Sequence, residues 1–126
     1  PALSCVLRFL DKAVRDWKPK KTFLFGFSQG AGLGDIFVKH YSTLLDGFVR
    51  HAGVKSIKEI RASKKIPVIC SHGDTGFIET KFTARLTKEA ERMYKNEGHP
   101  TSLWQVSNWK HFWPSHYNQR YLEALL

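Results

Sequence analysis

The stretch Gly26-Phe27-Ser28-Gln29-Gly30 is the part of this chain best suited to chemistry. A serine flanked in this way fits a nucleophile elbow, a tight turn that lifts one hydroxyl clear of its surroundings. At such a turn strand and helix pass closely, so side chains at Gly26 and Gly30 are expected to collide with backbone. The N–H of Gln29, at a helix start, can point at a developing oxyanion. The implied chemistry is acyl transfer, with the Ser28 hydroxyl attacking once a base removes its proton. The plainer alternative is a serine that only caps a helix.

An elbow needs a strand before it and a helix after it, and both are legible. Phe23, Leu24 and Phe25 form an apolar run that predicts a buried strand over 22–27. Gly30, Ala31 and Gly32 open a helix that packs closely on the sheet and continues through Ile36, Phe37 and Val38 to about Tyr41. Upstream, Leu3, Val6, Leu7, Leu10, Ala13, Val14 and Trp17 recur at helical spacing opposite Arg8, Asp11, Lys12 and Arg15. Lys18-Pro19-Lys20 ends that helix.

Downstream, a short strand centres on Phe48-Val49, and the polar, basic segment 54–65 reads as a loop or a short surface helix. A buried strand over 66–71 leads into the turn His72-Gly73-Asp74-Thr75-Gly76. Over 79–96, Phe82, Leu86, Ala90 and Met93 make the apolar stripe of a helix closed by Gly98 and Pro100. A fourth strand over 102–106, an aromatic loop over 108–114 and a helix over 117–126 complete the chain. Strands alternating with helices predict an α/β fold with a parallel sheet of about four strands, right-handed crossovers and helices on both faces. Residues 1–126 read as one domain, without an internal repeat.

Bulk properties narrow the function. A hydrophobic content of 42% argues for a globular chain, and no apolar run reaches the length of a membrane span. Cys5 and Cys70 fall in segments that read as helix and buried strand, which predicts free, buried thiols and a reducing, cytoplasmic setting. The net charge of +9 permits anionic partners. Its densest group, Lys55, Lys58, Arg61, Lys64 and Lys65, contains no aromatic, which favours a solvated basic linker over a nucleic-acid site. The histidine and carboxylate spacing suggests no metal site, and no cofactor is implied.

Three motifs together carry a resemblance. Gly26-Phe27-Ser28-Gln29-Gly30-Ala31 resembles the elbow of the carboxylesterase and acyl-protein thioesterase branch of the α/β-hydrolases. His111-Phe112-Trp113-Pro114 is similar to the Gly-His-x-Trp-Pro loop of polyester depolymerase-like and feruloyl-type esterases, with Lys110 in the glycine's place. His72-Gly73-Asp74 resembles the start of their His-Gly-x-x-Asp turn. The likeness covers nearly the whole chain and corresponds to the C-terminal half of such a domain.

The resemblance implies a serine hydrolase that cleaves a small-molecule carboxylic ester or thioester through an acyl-serine. Ser28 matches the nucleophile and His111 the base, with the Gln29 N–H as half of an oxyanion hole. His72 belongs to a turn, His99 to a helix-ending loop and His116 to the start of the last helix, while His40 and His51 read as structural or exposed. The acid position of the pattern holds Gly76, which leaves Asp74 or Glu79 to orient the histidine. Trp109, Phe112 and Trp113 line an acyl or aryl pocket on one reading and are ordinary loop packing on the other. Relatives carry further strands before the first helix, including the loop with the second oxyanion donor. Without them the strand before Ser28 becomes a sheet edge, to be covered by more chain or by a homo-oligomer. Two other readings stay open: an inactive relative serving as a binding module, which Gly76 favours, and a basic surface-binding domain, which only the net charge favours.

Overall fold

A computed structural model of the chain describes residues 2–55 and 57–126. The Leu3 side chain and Ser56, both within segments read above, lie outside the described residues. Helix α1 (Ala2–Trp17) sets Leu7 and Leu10 against the core, whereas Trp17 is exposed. Four strands follow: β1 (Phe23–Phe27), β2 (Gly47–His51), β3 (Val68–Gly73) and β4 (Thr101–Val106). They form one parallel sheet in the order β1-β2-β3-β4. Between and after them run α2 (Gln29–Tyr41), α3 (Ala84–Asn96) and α4 (Asn118–Leu125).

Side chains alternate along each strand, so every strand feeds two layers. The register pairs Phe48 with Val68 and Arg50 with Cys70. Phe48, Val68 and Cys70 pack on Phe37 and Val38 of α2 and on Ala90 and Tyr94 of α3. Val49 and Ile69 point the opposite way, to Tyr121 and Leu125 of α4, with Phe25, Trp104 and Trp113 around them. Helices thus cover both faces, as expected. β1 stands at the sheet edge, paired with β2 on one side.

Segment 54–65, expected as a loop or a short surface helix, is a loop over its described residues and tucks Ile60 and Ala62 into the core. Three expectations are corrected. Cys5 is an exposed thiol, while Cys70 is buried. A side chain at Gly30 would meet nothing, because this glycine sits on the outer side of the first turn of α2. Phe82 faces outward, edge-on to Phe77 at 5.5 Å. The buried stripe here is Glu79, Thr83, Thr87, Ala90 and Tyr94, running from a π-helical turn (Glu79–Thr83) into α3.

Candidate active site

Ser28 sits between β1 and α2 with φ 55° and ψ −118°. This left-handed backbone is uncommon for a residue with a side chain and persists only where the surroundings impose it. Its N–H donates to the His51 carbonyl at 3.0 Å. Its own carbonyl accepts from Ala31 N–H at 3.1 Å and from Val54 N–H at 3.4 Å. Glycine is required at 26 by close approach: a Cβ there would lie 2.8 Å from the Gly30 carbonyl oxygen. Gln29 is the first residue of α2, so its N–H has no intrahelical acceptor.

His111 comes from the loop after β4, and its Nε2 lies 3.1 Å from Ser28 Oγ. Residues 83 positions apart are thus brought into hydrogen-bond contact. A latch to the turn after β3 holds the loop. Asp74 N–H and Thr75 N–H donate to the Trp109 carbonyl at 3.1 and 3.0 Å. Trp109 N–H donates back to Asp74 Oδ1 at 3.1 Å, as does the Thr75 hydroxyl at 2.8 Å. Those hydrogen bonds, from Thr75 first and then Trp109, hold the Asp74 carboxyl below the usual carboxylate range. No hydrogen bond or ion pair joins Asp74 to His111 among the described residues.

Glu79 occupies the other side of the imidazole. Its Oε1 lies 3.6 Å from His111 Nδ1 and accepts a long hydrogen bond from Gly73 N–H at 3.4 Å. The π turn puts this side chain fully out of solvent, and burial pushes its pKa up against the pull of Gly73 N–H and His111. Glu79 Oε2 and His111 Nδ1 are both buried without a hydrogen-bond partner among the described residues. Gly76, at the position where the resemblance expects an acid, has φ +93°, a conformation that favours glycine over a carboxylate-bearing residue.

The remaining histidines have other partners. His51 is buried in β2; its Nδ1 is hydrogen-bonded to Ser71 Oγ at 2.9 Å, and Ser71 Oγ to Tyr121 OH at 2.7 Å. Burial, helped by His72 and His111, pulls the His51 pKa down to about 4. The Phe27 ring stands 6.1 Å from the His51 ring and 5.0 Å from that of His111. His72 is part of β3 rather than of the turn, with Nδ1 at 2.6 Å from the Gly73 carbonyl. His99 is buried against the Ile66 backbone, His40 is exposed, and His116 packs on Trp109 at 4.5 Å.

The three aromatics of the histidine loop part company. Trp113 packs under α4 against Phe25 and Tyr121, and Trp109 donates its indole N–H to the Phe112 carbonyl at 2.8 Å. Phe112 alone of the three borders the open cleft beside His111, which Phe77 and Ile78 also line. No group of three metal-ligating side chains occurs among the described residues, and none of their helices is long and apolar enough to cross a membrane.

Reading the residues singly left Asp74 and Glu79 as alternatives and missed the Asp74 latch. The inward Glu79 has a signal, since Glu79, Thr83, Thr87 and Ala90 follow helical spacing. The Asp74 latch has none, because its acceptor and donor lie 35 residues away at Trp109.

Residues 7–112 match a family described as Phospholipase/Carboxylesterase. No curated protein matches the chain in sequence. Among solved structures, a carboxylesterase of Bacillus cereus superposes with a TM-score of 0.73 at 16% identity, covering 98% of this chain and 60% of that one. A point variant of SOBER1 from Arabidopsis thaliana gives 0.74 at 21% identity, covering 98% and 61%. Esterase PE8 gives 0.71 at 20% identity, covering 94% and 58%. The chain therefore spans about three-fifths of these proteins' length, and the likeness is one of fold.

Proposed function

We propose that this chain, which belongs to the Phospholipase/Carboxylesterase family, carries the hydrolytic centre of a serine esterase or thioesterase. The observation that supports it most is the line Ser28 Oγ, His111 Nε2 at 3.1 Å, then His111 Nδ1 and Glu79 Oε1 at 3.6 Å. In this reading His111 Nε2 takes the hydroxyl proton as Ser28 Oγ bonds to the substrate carbonyl carbon. The resulting oxyanion accepts from the Gln29 N–H. Collapse expels the alcohol or thiol, which takes the proton from His111 and leaves an acyl-serine. Water then repeats the sequence, His111 accepting its proton, and the acid departs.

Glu79 is the acid of this reading and Asp74 the latch of the histidine loop. A buried carboxylate with a raised pKa is uncomfortable while His111 is neutral. When His111 becomes an imidazolium, the Nδ1–H and Glu79 Oε1 attract each other as charges. The gain is confined to the moments when charge develops, which is where an interaction accelerates a reaction.

The test is labelling by a fluorophosphonate, which reacts with activated serines, on the parent chain and on Ser28→Ala. Labelling is expected in the parent and absent from Ser28→Ala. A folded parent that resists labelling and cleaves no nitrophenyl ester would overturn the reading, and a binding module would take its place.

A further inference from the structure

We infer that the cleft beside His111 selects an ester whose apolar chain or ring ends in an anionic group, and that Lys110 is the residue that reads the anion. The inference rests on the hydrolase reading for its reaction but stands on separate geometry. The cleft has a volume of about 460 Å³ and is lined by residues 75–79 and 110–112, His111 and Glu79 among them. That volume lies within the range of small-molecule sites. Phe77 is 68% exposed and Phe112 64% exposed, and Ile78 is half-exposed beside them. Exposed aromatic surface contributed by two separate segments to one cleft marks a place that a ligand covers.

The charges in the cleft are unequal. Glu79 is turned to His111 and the Gly73 N–H. Asp74, which does not line the cleft, is held by the Thr75 hydroxyl and the Trp109 N–H. The Lys110 stem runs across Gly76, whose hypothetical Cβ would lie 3.9 Å from Lys110 Cγ. No carboxylate pairs with the Lys110 ammonium among the described residues. The cleft therefore brings together exposed aromatic side chains, the imidazole of His111 and a lysine with no carboxylate partner. A ligand with an apolar middle and a negative far end satisfies all three: its carbonyl reaches Ser28, which does not line the cleft but lies 3.1 Å from His111 Nε2, its chain covers Phe77 and Phe112, and its anion meets Lys110.

The experiment separates binding from turnover. Monomethyl suberate and methyl octanoate have the same number of acyl carbons and differ in that a carboxylate replaces the terminal methyl group. Binding of each to the Ser28→Ala chain is measured by ligand-observed NMR titration, then repeated with Lys110→Met and Lys110→Arg added. Monomethyl suberate is expected to bind about threefold to tenfold more tightly, a preference that weakens with salt, as one partly exposed ion pair allows. Lys110→Met removes the preference and Lys110→Arg keeps it, while Phe77→Ala weakens both ligands. Equal binding of the two, or a preference that persists in Lys110→Met, overturns the inference. Fluorophosphonate labelling of the parent reports independently on the serine. A labelled parent without the Lys110-dependent preference overturns the cleft assignment alone. A folded parent that resists labelling and cleaves no nitrophenyl ester, yet shows the preference, overturns the hydrolase reading and leaves an anion-selective binding cleft.

Discussion

Two carboxylates stand near His111, and they differ in what surrounds them. Asp74 is satisfied by donors of its own turn and of the histidine loop. Glu79 is buried, raised in pKa and turned to the imidazole. Glu79→Gln is expected to lower kcat by about 10⁴-fold, the cost of the wrong histidine tautomer. Its stability should move the other way. A raised pKa means that the folded chain favours protonated Glu79, so this group's contribution is lost as pH rises through that value. Glutamine imitates the protonated form, and thermal melting at pH 7 should show no loss. Asp74→Ala instead frees the Trp109 N–H and loosens the loop, lowering kcat by about tenfold to a hundredfold, the scale of one or two hydrogen bonds. A larger loss of kcat for Asp74→Ala than for Glu79→Gln would reverse the two assignments.

At the scale of elements, one buried ion pair ties the sheet to two helices. Arg50 of β2 donates through Nε to Asp35 Oδ1 at 3.0 Å and through Nη2 to Asp35 Oδ2 at 2.8 Å. Tyr94 of α3 donates to Asp35 Oδ1 at 2.6 Å. Arg50 Nη2 also holds the Val54 carbonyl at 2.8 Å, and Val54 N–H reaches the Ser28 carbonyl. The chain of contacts thus runs from the core to the turn that presents Ser28. Removing one partner strands a charge out of water, so Arg50→Met or Asp35→Leu alone should cost about 3–5 kcal/mol in urea unfolding. The double variant should cost clearly less than the sum, since neither charge is then left unpaired. Strict additivity would show that the pair is not coupled.

For the whole molecule, the buried histidines set the response to acid. The His51 pKa is pulled down from 6.5 to about 4, chiefly by burial, and that of His99 is lowered for the same reason. Above pH 6.5 the folded and unfolded forms of His51 are both neutral and its contribution is fully present. As pH falls towards 4, the unfolded chain takes up a proton that the folded chain refuses, and stability is lost. His51 alone should account for roughly 2–3 kcal/mol between about pH 7 and about pH 4.5, from about 1.36 kcal/mol per pKa unit. Urea unfolding at the two pH values, on the parent and on His51→Asn, measures this. An equal acid response in both chains would acquit His51. The lowered carboxyls Asp46 and Glu97 act in the same direction at lower pH.

Local chemistry and periodicity carry the sequence a long way. An apolar run before Gly26, small residues after Ser28, and helical spacing around Leu7, Leu10, Ala90 and Met93 depend on neighbours within a few turns. They determine the alternation of strands and helices, and parallel crossovers follow from it. The fold class, the serine turn and the aromatic loop with His111 are therefore readable without coordinates. Which carboxylate faces His111 is decided by tertiary structure. A distant loop sets His111 beside the buried Glu79, and the Trp109 N–H, 35 residues away, claims Asp74. The same holds for Phe112 and Trp113, near neighbours in one loop that part between the cleft and the core beneath α4. Side-chain type is a property of the sequence; direction and partner arise only when distant segments compete for the same space and the same hydrogen bonds.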